Sequence, residues 1–182
     1  MNSAPFLYHF SEDPDIALFV PRPVRVAAAR GAGREWLNGP LVWAIDEWHS
    51  PMYLFPRECP RILLWPIEST TQADRERWFE ATDARMIAYV EEAWDLQLRS
   101  TEVYRYLLPA PTFVYLGEIG HWVSREVVVP TRLDRLDDLT GRLAAAGVEL
   151  RVVPSLLPLS GVWETTLHAS GIRLRNALGW QQ

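Results

Sequence analysis

Two segments place a reactive side chain inside an apolar, strand-like run. His9 lies in the aromatic run Phe6–Phe10 and is followed by the hydroxyl of Ser11. Glu126 lies in the largely apolar run Trp122–Val129. A carboxylate in such a strand is costly unless it has a partner or a function. The sequence therefore points to a histidine with a nearby hydroxyl, and to one carboxylate, as candidates for binding or catalysis.

A third segment combines an aromatic ring, an acid and a turn. Trp43 lies in the apolar run Leu41–Ile45, Asp46 follows that run, and the turn after it ends near Tyr53. Aromatic rings offer flat faces for stacking. Trp43 and Tyr53 are therefore candidates for holding a planar ligand.

The elements that must position these residues are a mixture of strands and helices. The predicted strands are Phe6–Phe10, Val24–Ala28, Leu41–Ile45, Arg61–Trp65, Glu102–Leu107, Trp122–Val129 and Glu149–Val153. The predicted helices are Gln72–Glu80 with Thr71 and Asp74 as a capping box, a segment with apolar positions from Met86 to Leu98, and Asp134–Ala146 ending at Gly147. Residues 156–178 fit either a helix or a strand-turn-strand. We expect an α+β fold in a single compact domain over residues 1–182.

Composition excludes several classes of function. The chain has 182 residues, and its 18 basic residues, all arginine, face 23 acids for a net charge of -5. This balance argues against a general nucleic-acid-binding surface. No apolar run approaches the roughly 20 residues that span a bilayer, and the first ten residues lack the basic start of a secretory signal. We therefore expect a cytoplasmic protein without membrane contact.

Metal and thiol chemistry have little support in the sequence. The four histidines are far apart and lack metal-ligand spacing, so no metal is expected. Cys59 is the single cysteine. It fits a buried small hydrophobe, with a nucleophile as the alternative.

The order of the candidate residues resembles the ADP-ribosyltransferase superfamily, in the histidine-tyrosine-glutamate branch that includes the poly(ADP-ribose) polymerases. That branch has a strand with histidine, glycine and a hydroxyl, then a strand with tyrosine and an acid followed by a second tyrosine, and finally a glutamate before an apolar run. The matching positions are His9, Ser11, Trp43, Asp46, Tyr53 and Glu126. Phe10 replaces the glycine and Trp43 the first tyrosine. These motifs lie within residues 6–130 and leave 131–182 as a helix-strand extension.

The resemblance implies a split mixed β-sheet with covering helices and an enzyme that consumes NAD. It would release nicotinamide and transfer ADP-ribose to an acceptor that the sequence does not name. The transition state is oxocarbenium-like, so catalysis is mainly positioning and electrostatics. Glu126 would bind the ribose 2′-hydroxyl and stabilise the cation, and His9 would bind the adenosine ribose. Tyr53 and Trp43 would enclose nicotinamide.

The resemblance also implies a set of NAD-binding residues. They are Phe10, Ser11 and Trp43. Side-chain chemistry adds Arg22, Arg57 and Arg61 as candidates for the pyrophosphate. Guanidinium suits phosphate because it can donate two parallel hydrogen bonds. Two other functions stay open, namely an RNA 2′-phosphotransferase-like enzyme and a non-catalytic nucleotide-binding or interaction domain.

Over nearly its full length the chain resembles a bacterial family of unknown function. The segments that carry this resemblance are LYHFSEDP, VWAIDEWH, FPRECPR and SGIRLRNA. This similarity implies no particular activity.

Each candidate residue also has a purely structural interpretation. His9 fits a core histidine, and Trp43 and Tyr53 fit core aromatics. The arginines that could pair with Glu126 are Arg125, Arg105 and Arg151. The acids that could pair with Arg57 and Arg61 are Glu58 and Asp46.

Overall fold

The structure is a computed structural model that describes residues 6–27, 29–117 and 119–180. Within these ranges it contains ten β-strands and three α-helices. The strands are β1 Leu7–Ser11, β2 Val42–Asp46, β3 Arg61–Trp65, β4 Met86–Glu91, β5 Val103–Leu108, β6 Val114–Tyr115, β7 His121–Ser124, β8 Arg132–Leu136, β9 Val148–Val153 and β10 His168–Ile172. The α-helices are α1 Gln72–Phe79, α2 Asp95–Ser100 and α3 Leu139–Ala145. Short 3-10 helices run over Glu35–Asn38, Ser50–Tyr53, Glu92–Trp94, Ala110–Thr112, Leu157–Glu164 and Leu174–Asn176.

The chain forms two compact units, each assembled from two separate stretches of sequence. Unit 1 comprises Met1–Ser50 and Val103–Leu136, and unit 2 comprises Pro51–Glu102 and Asp137–Gln182. The prediction of mixed α and β structure is confirmed, with one sheet in each unit. The ADP-ribosyltransferase-like arrangement and the single domain stay predictions. None of the helices in the described ranges has the length and apolar character needed to cross a bilayer.

Unit 1 is built on a six-stranded antiparallel sheet. Its strand order is β6-β7-β2-β1-β5-β8. One face carries a buried cluster that includes Leu7, Val42 and Tyr106. Two isolated bridges, Phe19 with Val128 and Arg22 with Leu41, attach loop segments to the unit. The sheet and these bridges position most of the residues singled out in the sequence.

Unit 2 is built on a four-stranded sheet with the order β10-β3-β4-β9. β3 pairs antiparallel with β10 and β4, whereas β4 and β9 are parallel. All residues of β3 and β4 are buried. Their side chains contribute to a core with Phe79 of α1 and Val162 of a 3-10 helix.

The helix predicted between Met86 and Leu98 is wrong. Met86–Glu91 is the strand β4, and only Asp95–Ser100 is α-helical. β4 lies between two other strands, so apolar residues occupy both of its faces. In such a run several apolar positions fall at helical spacing by chance, and periodicity alone does not distinguish the two structures.

A second predicted helix and one predicted strand also need correction. The helix at Asp134–Ala146 is limited to α3 because Asp138 adopts a left-handed φ of 44° and caps the helix through the N–H of Gly141. The residues just before it form β8. Residues 24–27 form no strand, and residue 28 lies outside the described ranges.

The remaining predictions of elements are largely confirmed. β2, β3, β5, β9 and α1 lie where the sequence predicts them. The side chain of Thr71 accepts from the N–H of Asp74 at 3.3 Å, as the capping box predicts. Residues 156–178 resolve into the 3-10 helix Leu157–Glu164, the strand β10 and a 3-10 turn.

Candidate functional site

His9 sits in the middle of β1 and is half-buried. Its Nδ1 lies 2.9 Å from the backbone oxygen of Trp43 on the neighbouring strand. Its ring packs against Phe19, with 4.7 Å between the ring centroids. Strand alternation puts His9 on the same face as the buried Leu7. One side of the imidazole therefore has the environment of a core histidine.

Trp43 lies on the opposite face of the sheet from His9. Its neighbours there are Leu37 and Val123, which are buried. The guanidinium of Arg30 lies 5.8 Å from the centre of the Trp43 ring. The indole Nε1 is buried and has no hydrogen-bond partner among the described residues. Trp43 is thus largely a packing residue with an unsatisfied donor.

The strand predicted around Glu126 is shorter than expected. β7 ends at Ser124, and Glu126 lies exposed in a bend beyond it. The Ser124 hydroxyl donates to Thr112 at 3.0 Å and accepts from the N–H of Glu126 at 3.1 Å, so the chain turns away from the sheet. Glu126 therefore does not occupy the apolar strand interior that the sequence predicts.

The structural pairings considered for Glu126 are not present among the described residues. Arg105 donates instead to Asp134, at 2.9 Å. Arg151 donates instead to Glu149, at 2.6 Å. The Glu126 side chain is exposed, so its carboxylate faces solvent.

Strand directions bring several candidates of unit 1 to one end of its sheet. β1 is antiparallel to β2, and β2 is antiparallel to β7 with Val42 opposite Ser124. The end of β1, the start of β2 and the end of β7 therefore meet at the same edge of the sheet, an edge formed by strand ends and not by an outer strand. Arg22 joins this edge because its backbone pairs with Leu41. The predicted residues at or within two positions of this edge are His9, Phe10, Ser11, Arg22, Trp43 and Glu126.

At the other end of β2, Asp46 and His49 form a pair to which the sequence analysis gave no role. The Asp46 carboxylate accepts from the backbone N–H of His49 at 2.9 Å and lies 2.8 Å from its Nδ1. Trp48 packs edge-on against the His49 ring, with 4.5 Å between centroids. An aspartate three residues before a histidine, at the end of a strand, was the available signal. The carboxylate orients the imidazole by holding Nδ1.

Tyr53, Arg57 and Arg61 belong to unit 2. Tyr53 ends the 3-10 helix Ser50–Tyr53, and burial raises the pKa of its phenol. His9 and Glu126 belong to unit 1, so the three proposed catalytic residues are divided between the units. Their convergence on one cleft stays a prediction.

Arg61 opens β3 and is only 2 % exposed. Its guanidinium donates to the backbone oxygen of Met52 at 2.8 Å and to that of Cys59 at 2.9 Å. It also lies 4.9 Å from the ring centre of Phe55 and 5.8 Å from that of Tyr53. Burial lowers the pKa of Arg61 to about 10. The ion pair with Glu58 considered from the sequence does not form.

Glu58 instead pairs with a segment near the C-terminus that sequence reasoning missed. Its carboxylate accepts from Arg175 at 2.9 Å and from the Asn176 amide at 3.2 Å, and it lies 3.4 Å from Arg173 Nε. Burial would raise the pKa of Glu58, but the Asn176 hydrogen bond and the arginines outweigh this effect and lower it. The segments FPRECPR and SGIRLRNA therefore meet in space, and their shared arginine content was the available signal.

Thiol and metal chemistry gain no support from the described residues. Cys59 is buried, and burial raises the pKa of its thiol to about 12. In the described ranges no group of three or more histidine, cysteine or acidic side chains is arranged to hold a metal.

The model of the Family of unknown function (DUF6886) matches residues 8–177. No curated protein and no solved structure matches the chain. Because the family match covers most of the sequence, the protein belongs to the Family of unknown function (DUF6886).

Proposed function

We propose that the protein cleaves the bond between nicotinamide and ribose in NAD and transfers ADP-ribose to an acceptor. One observation carries the proposal. Residues from separate segments that match an ADP-ribosyltransferase pattern lie at one edge of the unit 1 sheet. The matching residues at this edge are His9, Ser11, Trp43 and Glu126, and Arg22 lies beside them.

Glu126 is the residue proposed to stabilise the transition state. The bond from ribose C1′ to the nicotinamide nitrogen breaks, its electron pair leaves with nicotinamide, and positive charge develops on the ribose. The acceptor then bonds to C1′ and releases its proton to solvent. An exposed carboxylate exerts a weak field, so the bound dinucleotide must exclude water for Glu126 to act strongly.

The other residues of this edge serve to position the dinucleotide. His9 and Ser11 share one face of β1, where His9 is proposed to bind the adenosine ribose. Trp43 lies on the opposite face, so one ligand contacts both His9 and Trp43 only by passing around the edge of the sheet. Arg22 is exposed at that edge, and it is the proposed pyrophosphate ligand that belongs to unit 1, whereas Arg57 and Arg61 belong to unit 2. The roles of Tyr53, Arg57 and Arg61, which lie in unit 2, stay predictions.

Nicotinamide release from NAD tests the proposal directly. Glu126→Gln keeps the size of the side chain and removes its charge, and it should reduce release at least about a hundredfold, as loss of one transition-state contact typically does. Glu68→Gln makes the same change at an exposed position in unit 2 and should leave release unchanged. Absence of release by the unaltered protein, or equal rates in the two variants, would contradict the proposal.

A non-catalytic nucleotide-binding role is the second candidate. The exposure of Glu126 favours it, because a carboxylate in water does little to stabilise a cation. A thermal-shift series with NAD, ADP-ribose and an unrelated nucleotide separates the two functions. Stabilisation by NAD without nicotinamide release supports binding alone, since a ligand of the native state raises apparent stability whether or not it reacts.

A further inference from the structure

Arg61 is a buried cation at the start of β3. It is 2 % exposed, and its hydrogen-bond acceptors are two backbone oxygens. Among the described residues no carboxylate forms an ion pair with it. Buried charges in proteins are usually paired or have a function. The rings of Phe55 and Tyr53 also face the guanidinium. Backbone oxygens and aromatic rings carry partial charge only, so no full negative charge within ion-pair distance balances Arg61 in the described part of the chain.

The register of β3 and β10 brings a second arginine beside Arg61. Ile172 is directly opposite Arg61, and Arg173 follows at the end of the strand. Arg173 adopts a left-handed φ of 55°, which is unusual for a residue with a side chain. Its side chain is 33 % exposed. Such backbone strain persists where the surroundings fix it and is concentrated at functional sites.

The charge around these two residues is strongly unbalanced. Arg57, Arg173 and Arg175 all act electrostatically on the carboxylate of Glu58. The positive charge of Arg173 disfavours the charged form of Arg61, after the larger effect of burial. Both guanidinium groups also act on the phenol of Tyr53. A cluster with this excess of positive charge gains stability when an anion enters.

We propose that Arg61 and Arg173, with the phenol of Tyr53, form a binding site for the phosphate group of a ligand. Arg173 supplies the accessible guanidinium that donates hydrogen bonds to the phosphate oxygens. Arg61 supplies a positive charge from the buried side of the site, where water screens the charge little. Tyr53 supplies a hydroxyl donor. The site shares Arg61 with the residues that the sequence suggested for NAD, but it requires no transfer reaction.

Binding of inorganic phosphate, pyrophosphate and ADP-ribose to the full chain tests this site. Isothermal titration calorimetry at fixed ionic strength, balanced with sodium chloride, separates binding from charge screening. Arg173→Gln should weaken phosphate binding at least about tenfold, since it removes a charge-assisted hydrogen bond. Arg75→Gln removes an exposed arginine of α1 and should leave binding unchanged.

The outcomes separate this site from the proposed function. Phosphate binding that Arg173→Gln abolishes, in a protein that does not cleave NAD, supports the site and refutes the transferase. Tighter binding of ADP-ribose than of phosphate, lost in the same variant, identifies the phosphate as part of a nucleotide. Equal effects of phosphate and chloride, or equal binding by Arg173→Gln and Arg75→Gln, would overturn the inference.

Discussion

Replacing Gly120 with alanine tests how tightly the Asp46–His49 pair is packed. Gly120 has a φ of +65°, and an added Cβ would lie 2.3 Å from His49 Nδ1 and 2.6 Å from both Asp46 carboxylate oxygens. Gly117 has a φ of +75°, and nothing lies within 4 Å of a Cβ added there. Gly117→Ala is therefore a matched control that carries the backbone cost alone.

The difference between the two variants follows from these distances. A left-handed backbone costs alanine about 1–2 kcal/mol at either position. At Gly120 the methyl group must also push the Asp46 carboxylate away from the imidazole, which removes a charge-assisted hydrogen bond worth about 1.5–3 kcal/mol. We expect Gly120→Ala to lose about 2 kcal/mol more than Gly117→Ala. In a chain of this size that corresponds to a Tm difference of about 4–8 °C.

Urea unfolding and calorimetry measure this difference in stability. The ring ¹⁵N signals of His49 report the hydrogen bond itself, and they should change in Gly120→Ala and not in Gly117→Ala. Equal losses of stability in the two variants would refute the steric argument. So would an unchanged His49 spectrum in Gly120→Ala.

Three further predictions concern a thiol, an ion pair and a buried acid. Burial raises the pKa of the Cys59 thiol to about 12. A disulfide reagent at pH 8 should therefore label the native protein more slowly than the unfolded chain, by more than about a hundredfold. Comparable labelling rates for the two would contradict this prediction. Burial alone would raise the pKa of Asp134, but hydrogen bonds from Arg105 and Arg132 outweigh the effect of burial, so the pKa is lowered. Asp134 therefore stabilises the fold above about pH 4, and this contribution is lost as the pH falls, so Asp134→Asn should lower Tm more at pH 7 than at pH 3. An equal loss at both values would count against the pairing. The buried Glu91 carboxylate accepts hydrogen bonds from two backbone N–H groups. Glu91→Ala should therefore lower the free energy of unfolding in urea by about 2–5 kcal/mol. Glu92→Ala, at the exposed neighbouring position, should lower it by about 0.5 kcal/mol. Similar values for the two alanine variants would show that these hydrogen bonds contribute little.

Local signals in the sequence were sufficient for elements with clear ends. β3 lies at the predicted Arg61–Trp65 because a proline and a charged residue precede an apolar run that another proline ends. α1 starts at the predicted capping box because the Thr71 hydroxyl satisfies a free N–H. Elements of this kind depend on neighbours in sequence, which is why they were predictable.

The candidate site depended on contacts that the sequence does not display. The apolar run around Glu126 suggested a continuous strand, but the Ser124 hydroxyl bonds the N–H of Glu126 and ends it. The resemblance assigned His9 and Trp43 to one NAD site, yet the pairing register puts their side chains on opposite faces of the sheet. Arg173 was missed because its nearness to Arg61 follows from the pairing of β3 with β10. Register and long-range pairing are set by tertiary packing.

The four segments that carry the family resemblance separate into two pairs. LYHFSEDP and VWAIDEWH include β1 and β2, which are hydrogen-bonded neighbours in unit 1. FPRECPR and SGIRLRNA meet in unit 2 through Glu58, Arg175 and the pairing of β3 with β10. Each pair therefore has a structural reason to occur together within its own unit. It follows that Glu126→Gln and Arg173→Gln test independent properties. Glu126 lies in unit 1 and Arg173 in unit 2, so loss of nicotinamide release in the first variant and loss of phosphate binding in the second, each without the other, would assign a separate chemical role to each unit.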